Sequence, residues 1–116
     1  MKRQQAERRG RAGEARAALW LQAKGWRILE RRRKTALGEI DLIAKRGTVI
    51  AFVEVKWRKS AAELDHAIDH HRLRRVASAA EAVAHEYAQE GEDIRVDVIL
   101  LAPRSLPRHI VNAWQP

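Results

Sequence analysis

The spacing of apolar residues along the chain alternates between helical and strand-like patterns. Alanines and leucines at helical spacing predict a first helix over residues 10–24, which ends at Gly25. A second helix is predicted over residues 67–89. Short runs rich in Val and Ile predict strands at 26–30, 38–45, 48–58 and 94–102, with a last edge strand at 110–114. The order α-β-β-β-α-β is typical of a single α/β domain, residues 1–116, with a mixed central sheet flanked by helices.

Residues 38–58 are the most informative stretch, because charged residues interrupt two apolar runs joined at Arg46-Gly47. The charged residues are Glu39, Asp41, Glu54 and Lys56. The second run is apolar on both faces, so we expect a central strand that is covered on both sides. A carboxylate or an ammonium on such a strand is costly to desolvate unless it is paired, hydrogen-bonded or bound to a metal.

The register of this hairpin decides whether the charges meet. A two-residue turn at Arg46-Gly47 places Asp41 opposite Phe52 and Glu39 opposite Glu54, with all four charges on one face. Asp41 and Glu54 are then diagonal neighbours with Cβ atoms about 7–8 Å apart, so that their oxygens can converge on one cation. A three-residue loop would reverse the parity and separate them.

Composition limits the setting. The chain has no cysteine, which excludes disulfides and thiolate metal sites and gives no sign of an oxidising compartment. Its longest wholly apolar runs, 49–53 and 98–102, are too short for a membrane span or a signal-peptide core. We therefore expect a soluble, cytoplasmic protein without a membrane partner.

The net charge of +8 is concentrated near the N-terminus, where residues 1–34 hold twelve Lys/Arg against three acids. We expect residues 1–9 to be a flexible basic segment, and the basic surface to bind nucleic-acid phosphates. A solvated arm that only aids solubility is the alternative. The basic residues expected to contact nucleic acid are Arg8, Arg9, Arg11, Arg31, Arg32, Arg33, Arg58 and Arg72.

Glu14 lies among apolar positions of the first predicted helix, between Ala18 and Leu21 on its circumference. Two interpretations compete. Glu14 is either exposed and paired with a local arginine such as Arg11, or it points toward the acidic face of the hairpin.

Three histidines and one late aspartate leave alternatives open. The spacing of His66, His70 and His71 allows zinc binding, but no third ligand is marked nearby, which favours solvated or phosphate-contacting histidines. Asp97 is either a satisfied polar residue on the last long strand or an acid that supports the site, and the first interpretation is favoured.

Two acids and a lysine on one sheet face, beside a basic surface, fit metal-dependent hydrolysis of phosphodiesters. Mg²⁺, with Mn²⁺ as a substitute, takes oxygen ligands such as Asp41 and Glu54. Lys56 can orient the attacking water or stabilise the charge that develops, and Glu14 can complete the site. The non-catalytic alternative is a buried ion pair between Glu54 and Lys56.

Several motifs together resemble the YraN family of small bacterial proteins. They are Gly13-Glu14, GWRIL at 25–29, GEIDLIA at 38–44, FVEVKWR at 52–58 and RVDV at 95–98. The resemblance implies a restriction-endonuclease-like fold, similar to that of archaeal Holliday-junction resolvases. It also implies a PD-(D/E)xK nuclease site: Asp41 with Glu54-Val55-Lys56, the Val55 carbonyl as a further metal ligand, and Glu14 as the helix-borne acid.

The chain departs from the family pattern at three places. Arg72 stands where relatives often have Lys, Arg32 where they often have Asn, and residues 59–65 replace a glycine-containing loop. The leading hypothesis is a Mg²⁺-dependent DNA endonuclease, selective for branched or junction DNA and able to act as a homodimer. A nucleic-acid-binding protein without catalysis is the alternative, and a scaffold protein with an acidic partner surface is a third hypothesis.

Overall fold

The computed structural model describes residues 2–59 and 69–115, with side chains from Arg11 onward. These ranges contain two helices and five strands: α1 (Lys2–Ala23), β1 (Arg27–Thr35), β2 (Gly38–Arg46), β3 (Val49–Trp57), α2 (His70–Tyr87), β4 (Asp93–Leu101) and β5 (Arg108–Ile110). The predicted order of helix, three strands, helix and strand is confirmed. The short edge strand follows it at Arg108–Ile110, rather than at 110–114.

Two of the predicted boundaries, the start of the first helix and the end of the first strand, are wrong by several residues. Helix α1 begins at Lys2, because the Lys, Arg and Gln residues before Gly10 are good helix formers although they carry no apolar stripe. Strand β1 continues through the basic run to Thr35 instead of ending at Glu30. Helix α2 begins at His70, where Asp69 caps it by accepting hydrogen bonds from the N–H groups of His71 and Arg72. The predicted start of this helix at residue 67, and His66, lie outside the described residues.

The five strands form one sheet in the order β1-β2-β3-β4-β5. Strands β3 and β4 run parallel and are connected through α2, whereas the other neighbouring strands are antiparallel. The mixed sheet is therefore confirmed, and β3 is its central strand.

Helices cover the sheet on both faces. On one face α2 packs Leu73, Val76 and Val83 against Ile50 and Phe52. On the other face α1 packs the fully buried Ala17, Ala18 and Leu21 against Ala51, Val53, Ile99 and Leu101. Complete burial of a side chain such as Phe52 stabilises the fold by about 1.5–3 kcal/mol. The expectation that β3 is apolar and covered on both faces is confirmed.

The register of the β2–β3 hairpin differs from the prediction by one residue at the turn. Arg46 pairs with Val49, so that Gly47 and Thr48 form the turn and Phe52 lies opposite Ile43 instead of Asp41. The reason is local: Gly47 adopts a φ of 60°, which glycine takes without steric cost, while Arg46 stays in the strand. Moving the turn by one residue changes each cross-strand partner by two residues, which preserves parity, so the charged residues of the two strands still face the same side.

Candidate active site

The two central strands stop pairing where the charged residues begin. The β2–β3 pairs end at Leu42 opposite Val53. Beyond this point the Asp41 carboxylate accepts a hydrogen bond of 2.7 Å from the backbone N–H of Val55, a group that a regular ladder would pair with a carbonyl. The side chain of Asp41 is thereby fixed between β2 and β3.

Three carboxylates from two elements converge at this opening. Helix α1 packs with Gly13 against Leu101 and Val55, which brings the next residue, Glu14, to the end of the hairpin. Oxygens of Glu14, Glu39 and Asp41 lie within 4.8 Å of one another. Glu14 therefore points toward the acidic face, as the second of its two interpretations predicted, and its ionic partner is Arg32 rather than Arg11.

The electrostatics of Asp41 reflect this crowding. Burial first, and then the charge of Glu54, raise the pKa of Asp41 to about 7, with a smaller contribution from Glu14. The hydrogen bond from Val55 and the charge of Arg72 oppose the rise. A carboxylate in this position gains from a nearby cation at neutral pH, because a cation favours its ionised form.

Glu54 is buried beside two cationic side chains. It is 3% exposed, and its Oε1 atom lies 2.9 Å from Nε of Arg72 and 3.3 Å from Nζ of Lys56. Neither contact has the angles of a hydrogen bond, so the charge of Oε1 is balanced while its lone pairs have no donor among the described residues. The ion pair of the non-catalytic interpretation is thus present, and Arg72 shares it.

Lys56 is nearly buried beside Glu54. Burial lowers the pKa of its ammonium, against the opposing charge of Glu54, and Arg72 lowers it further. A lysine with a lowered pKa gives up a proton more readily than an exposed one, which suits a group that assists proton movement.

An open cleft of about 430 Å³ joins these groups. Glu39, Asp41 and Glu54 line it from the hairpin, whereas Arg72 and Arg75 line it from the first turns of α2. Acids that can hold a cation thus face arginines that can hold an anion across one cleft.

Two residues of this cleft were missed as site residues in the sequence. Glu39 was noted on the acidic face but was not predicted as a ligand. Arg75 was not predicted at all, although its spacing of three residues from Arg72 places the two arginines on the same side of a helix and was the available signal. Arg75 is exposed and has no carboxylate partner among the described residues.

Several arginines predicted to contact nucleic acid are paired with carboxylates of the protein. Arg33 forms two hydrogen bonds, of 2.7 and 2.9 Å, with Glu86 and also contacts Tyr87, so it joins β1 to α2. Arg32 is paired with Glu14, and Arg72 with Glu54. The charges of these arginines are therefore partly compensated within the fold.

The remaining basic candidates differ in accessibility. Arg11 on α1 and Arg31 on β1 are exposed. Arg58 is half-buried and donates a hydrogen bond to the carbonyl of Trp57. Arg8 and Arg9 belong to α1, and their side chains lie outside the described part of the chain.

Asp97 and the described histidines His70 and His71 do not belong to the carboxylate cluster. His70 and His71 are exposed at the start of α2, and the ring of His70 lies 4.9 Å from that of Trp114. Within the described residues, no group of three potential metal ligands includes a histidine. Asp97 is completely buried and accepts hydrogen bonds from Arg95 and from the N–H of Asn112, with Nε2 of His109 2.7 Å away, which fits its interpretation as a satisfied polar residue.

The donor set fits a hard divalent cation. Carboxylate oxygens of Glu14, Glu39 and Asp41 converge, and the buried Oε1 of Glu54 lacks a hydrogen-bond donor. Mg²⁺ and Mn²⁺ prefer oxygen ligands of this kind. The role of the Val55 carbonyl as a ligand stays a prediction.

These features define a small α/β protein with a mixed five-stranded sheet and a carboxylate-lined cleft at the end of its central hairpin. Residues 13–101 match the Uncharacterised protein family UPF0102, and the chain belongs to this family, which confirms the resemblance to YraN proteins. None of the described helices is long and apolar enough to cross a membrane.

Three relatives illustrate the similarity. A UPF0102 protein of Erythrobacter litoralis is 75% identical over 116 residues, which is the whole of both chains. A UPF0102 protein of Sphingopyxis alaskensis is 59% identical over the same full length. A UPF0102 protein of Rhizorhabdus wittichii is 54% identical over 113 residues, or 97% of this chain and 96% of the relative.

Proposed function

We propose that this protein is a divalent-cation-dependent endonuclease that hydrolyses DNA phosphodiester bonds, with Mg²⁺ as its cation and Mn²⁺ as a substitute. The observation that carries the proposal is the convergence of the Glu14, Glu39 and Asp41 carboxylates beside a cleft that Glu39, Asp41 and the buried Glu54 line. The neighbouring Lys56 supplies the third element of an acid-acid-lysine site. The YraN resemblance, with its PD-(D/E)xK pattern, points to the same chemistry.

The acidic residues at the site bind the cation, while the basic residues act on the substrate. Asp41 and Glu54 would hold the cation, and Glu14 and Glu39 add negative charge beside it. When bound, a divalent cation polarises the phosphate and lowers the pKa of a water molecule. Hydrolysis then forms a bond from the water oxygen to phosphorus and breaks the bond from phosphorus to one deoxyribose oxygen, which leaves with a proton.

Lys56 and the α2 arginines act on the substrate side of this reaction. Lys56 donates hydrogen bonds to the attacking water or to the phosphoryl oxygens, where negative charge grows in the transition state. Arg75 is exposed in the cleft and has no carboxylate partner within residues 11–59 and 69–115, so it is suited to bind a backbone phosphate near the scissile one. Arg72 has to share its charge between Glu54 and the substrate.

Branched or junction DNA is the proposed substrate class, on the strength of the resemblance to junction resolvases. Cutting two strands symmetrically calls for a two-fold dimer, so we propose that the protein acts as a homodimer on such substrates. A homogeneous monomer bound to junction DNA in light scattering would contradict the dimer.

The direct test is cleavage of labelled branched, flapped and linear DNA with Mg²⁺, with Mn²⁺ and with EDTA. We expect the wild type to cut only with a divalent cation, and Glu54→Gln to reduce the rate by about 10²-fold or more, since it removes an acid from the centre of the site. Glu86→Gln is the matched control, because Glu86 pairs with Arg33 outside the cleft. Cleavage that survives Glu54→Gln unchanged would contradict the proposal.

A non-catalytic nucleic-acid-binding protein is the second candidate function. One observation favours it: the acids of the cleft already have internal cationic partners, Arg72 and Lys56 for Glu54 and Arg32 for Glu14. Such pairing lets the fold keep these acids without a bound cation. DNA binding by the wild type without cleavage of any substrate under any cation would establish this second function.

The placement of Arg75 leads to a separate prediction on DNA affinity. We expect Arg75→Gln to weaken binding and to reduce the slope of log affinity against log salt by about one, the effect of one lost phosphate contact. Arg74→Gln is the matched control, since Arg74 is exposed on the same helix but does not line the cleft. Fluorescence anisotropy at several salt concentrations measures both slopes, and identical slopes for the two variants would contradict a specific contact.

A further inference from the structure

Arg32 adopts an unusual backbone conformation next to the acidic cluster. Its φ is 52°, in the left-handed region that residues other than Gly, Asn and Asp rarely occupy. It lies in β1, at the edge of the sheet, where one flank of the strand has no neighbour to constrain it. A conformation of this kind persists only when surrounding contacts hold it in place.

The contact that accompanies this conformation is a short ion pair. Nε of Arg32 donates a hydrogen bond of 2.6 Å to Oε2 of Glu14. The Glu14 side chain is 15% exposed and that of Arg32 is 37% exposed, so the guanidinium reaches the cluster from the solvent side. The hydrogen bond with Glu14 raises the pKa of Arg32 most, burial opposes it, and the charges of Glu14, Glu39 and Asp41 add to the rise.

We propose that Arg32 is an internal counter-ion that competes with a divalent cation for the carboxylates of Glu14, Glu39 and Asp41, and that it sets the cation affinity of the cleft. The inference rests on the proposed function, because the cation is the one assigned there to this site. The guanidinium engages the carboxylate of Glu14, whose negative charge lies beside the proposed cation site. Each positive charge near the cluster weakens the attraction for the next.

Displacement of Arg32 requires only local movement. Its side chain is more than one-third exposed and lies on an edge strand, so it can turn toward solvent while Glu14 stays in place. Because the guanidinium end of this ion pair is open to solvent, the pair contributes only a modest net free energy, and a cation can compete with it. Once released, the guanidinium becomes available to an anion such as a DNA phosphate, so cation and DNA binding favour each other.

The test is titration of the intact, DNA-free protein with Mn²⁺ and with Mg²⁺ in an isothermal calorimeter. We expect Arg32→Asn to bind either cation about three- to fivefold more tightly than the wild type, the upper part of the range that an ion pair near the surface allows. Asn removes the charge and tolerates the left-handed backbone. Arg32→Lys keeps the charge and should stay within about twofold of the wild type.

Two controls separate charge competition from other effects. Arg31→Asn removes the same charge from the adjacent exposed position and should change affinity by less than about twofold, because exposed charges are screened at physiological salt. Arg32→Gln removes the charge without the left-handed preference of Asn, so it should raise cation affinity like Asn. Thermal unfolding checks that each variant is folded.

Equal affinity of Arg32→Asn and wild type, or no cation binding by either, would overturn the inference. A rise of the same size in Arg31→Asn would overturn it as well, since general electrostatics would then suffice. These outcomes are independent of cleavage: tighter binding by Arg32→Asn without DNA hydrolysis sustains the inference and refutes the proposed function. Conversely, cation-dependent DNA cleavage by the wild type, together with equal cation affinities of Arg32→Asn and wild type, supports the proposed function and refutes the inference.

Discussion

Replacement of Asp41 by Asn is expected to stabilise the cation-free protein at pH 8 while abolishing cation-dependent DNA cleavage. Burial and the neighbouring Glu54 raise the pKa of Asp41 from 3.8 to about 7, so ionisation is easier in the unfolded chain than in the folded one. The amide oxygen of Asn can still accept the hydrogen bond from Val55. The gain in the free energy of unfolding should be about 2–4 kcal/mol at pH 8.

The sign of the pH dependence follows from the raised pKa. Below pH 4 the carboxyl is protonated in both states, and wild type and Asp41→Asn should differ little in stability. As the pH rises from 4 to 7 the unfolded chain ionises first, which costs the wild type stability that Asp41→Asn keeps, and the difference is constant above pH 7.

Urea unfolding in EDTA at pH 4, 6 and 8 measures this difference. Glu81→Gln, a change at an exposed carboxylate on α2, is the control and should show no such trend. If the free energy of unfolding of Asp41→Asn at pH 8 is no larger than that of the wild type, the folded protein does not disfavour the ionised form of Asp41, and the prediction is wrong. Gain of stability with loss of activity is the expected behaviour where function needs an unfavourable group.

The sequence of the β2–β3 hairpin predicts which residues share a face, but not which residues pair across the strands. The parity of Glu39, Asp41 and Glu54 could be predicted because the side-chain period of a strand is fixed and because a charge on a covered strand signals a constraint. The exact register could not, since Arg46-Gly47 and Gly47-Thr48 are both acceptable turns and only the packed sheet chooses between them. The carboxylate of Asp41 also accepts the hydrogen bond from the Val55 N–H that a backbone carbonyl of β2 would accept in a regular sheet, and residue spacing does not predict this.

Tertiary contacts explain the other differences. The charge of the basic run in β1 predicts a phosphate-binding segment, but Arg33 is held by Glu86 and Tyr87 of α2, more than fifty residues along the chain. Arg32 has a left-handed backbone and meets Glu14 only because α1 packs beside the hairpin. Contacts between elements distant in sequence carry no local signature, so composition alone overstates the free basic surface.

Asp97 is expected to be the opposite case to Asp41, because its removal should strongly destabilise the fold. It is completely buried, and its pKa is lowered: burial acts to raise it, but hydrogen bonds from His109, Arg95 and the Asn112 N–H outweigh burial. Asp97→Ala leaves these donors unpaired and should cost about 3–5 kcal/mol in the free energy of unfolding at pH 7.

The lowered pKa fixes the pH dependence of this second effect. The stability that Asp97 provides is present above the pKa of an unfolded aspartate, near 4, and is lost as the pH falls through the lower folded value. Urea unfolding of wild type and Asp97→Asn should therefore differ at pH 7 and converge toward pH 2. Asp93→Asn, at an exposed position of the same strand, is the control. A cost below about 1 kcal/mol for Asp97→Ala would contradict the assigned hydrogen bonds.

The contrast between these acids bears on the site itself. Asp97 has a full set of donors, which favours its ionised form. Asp41 has one hydrogen-bond donor among the described residues and three acidic neighbours, Glu14, Glu39 and Glu54. A buried acid whose surroundings oppose its charge indicates a function more strongly than one whose surroundings stabilise it. Cleavage and cation binding should therefore persist in Asp97→Asn wherever the variant is folded, and loss of both from the folded variant would assign Asp97 to the site after all.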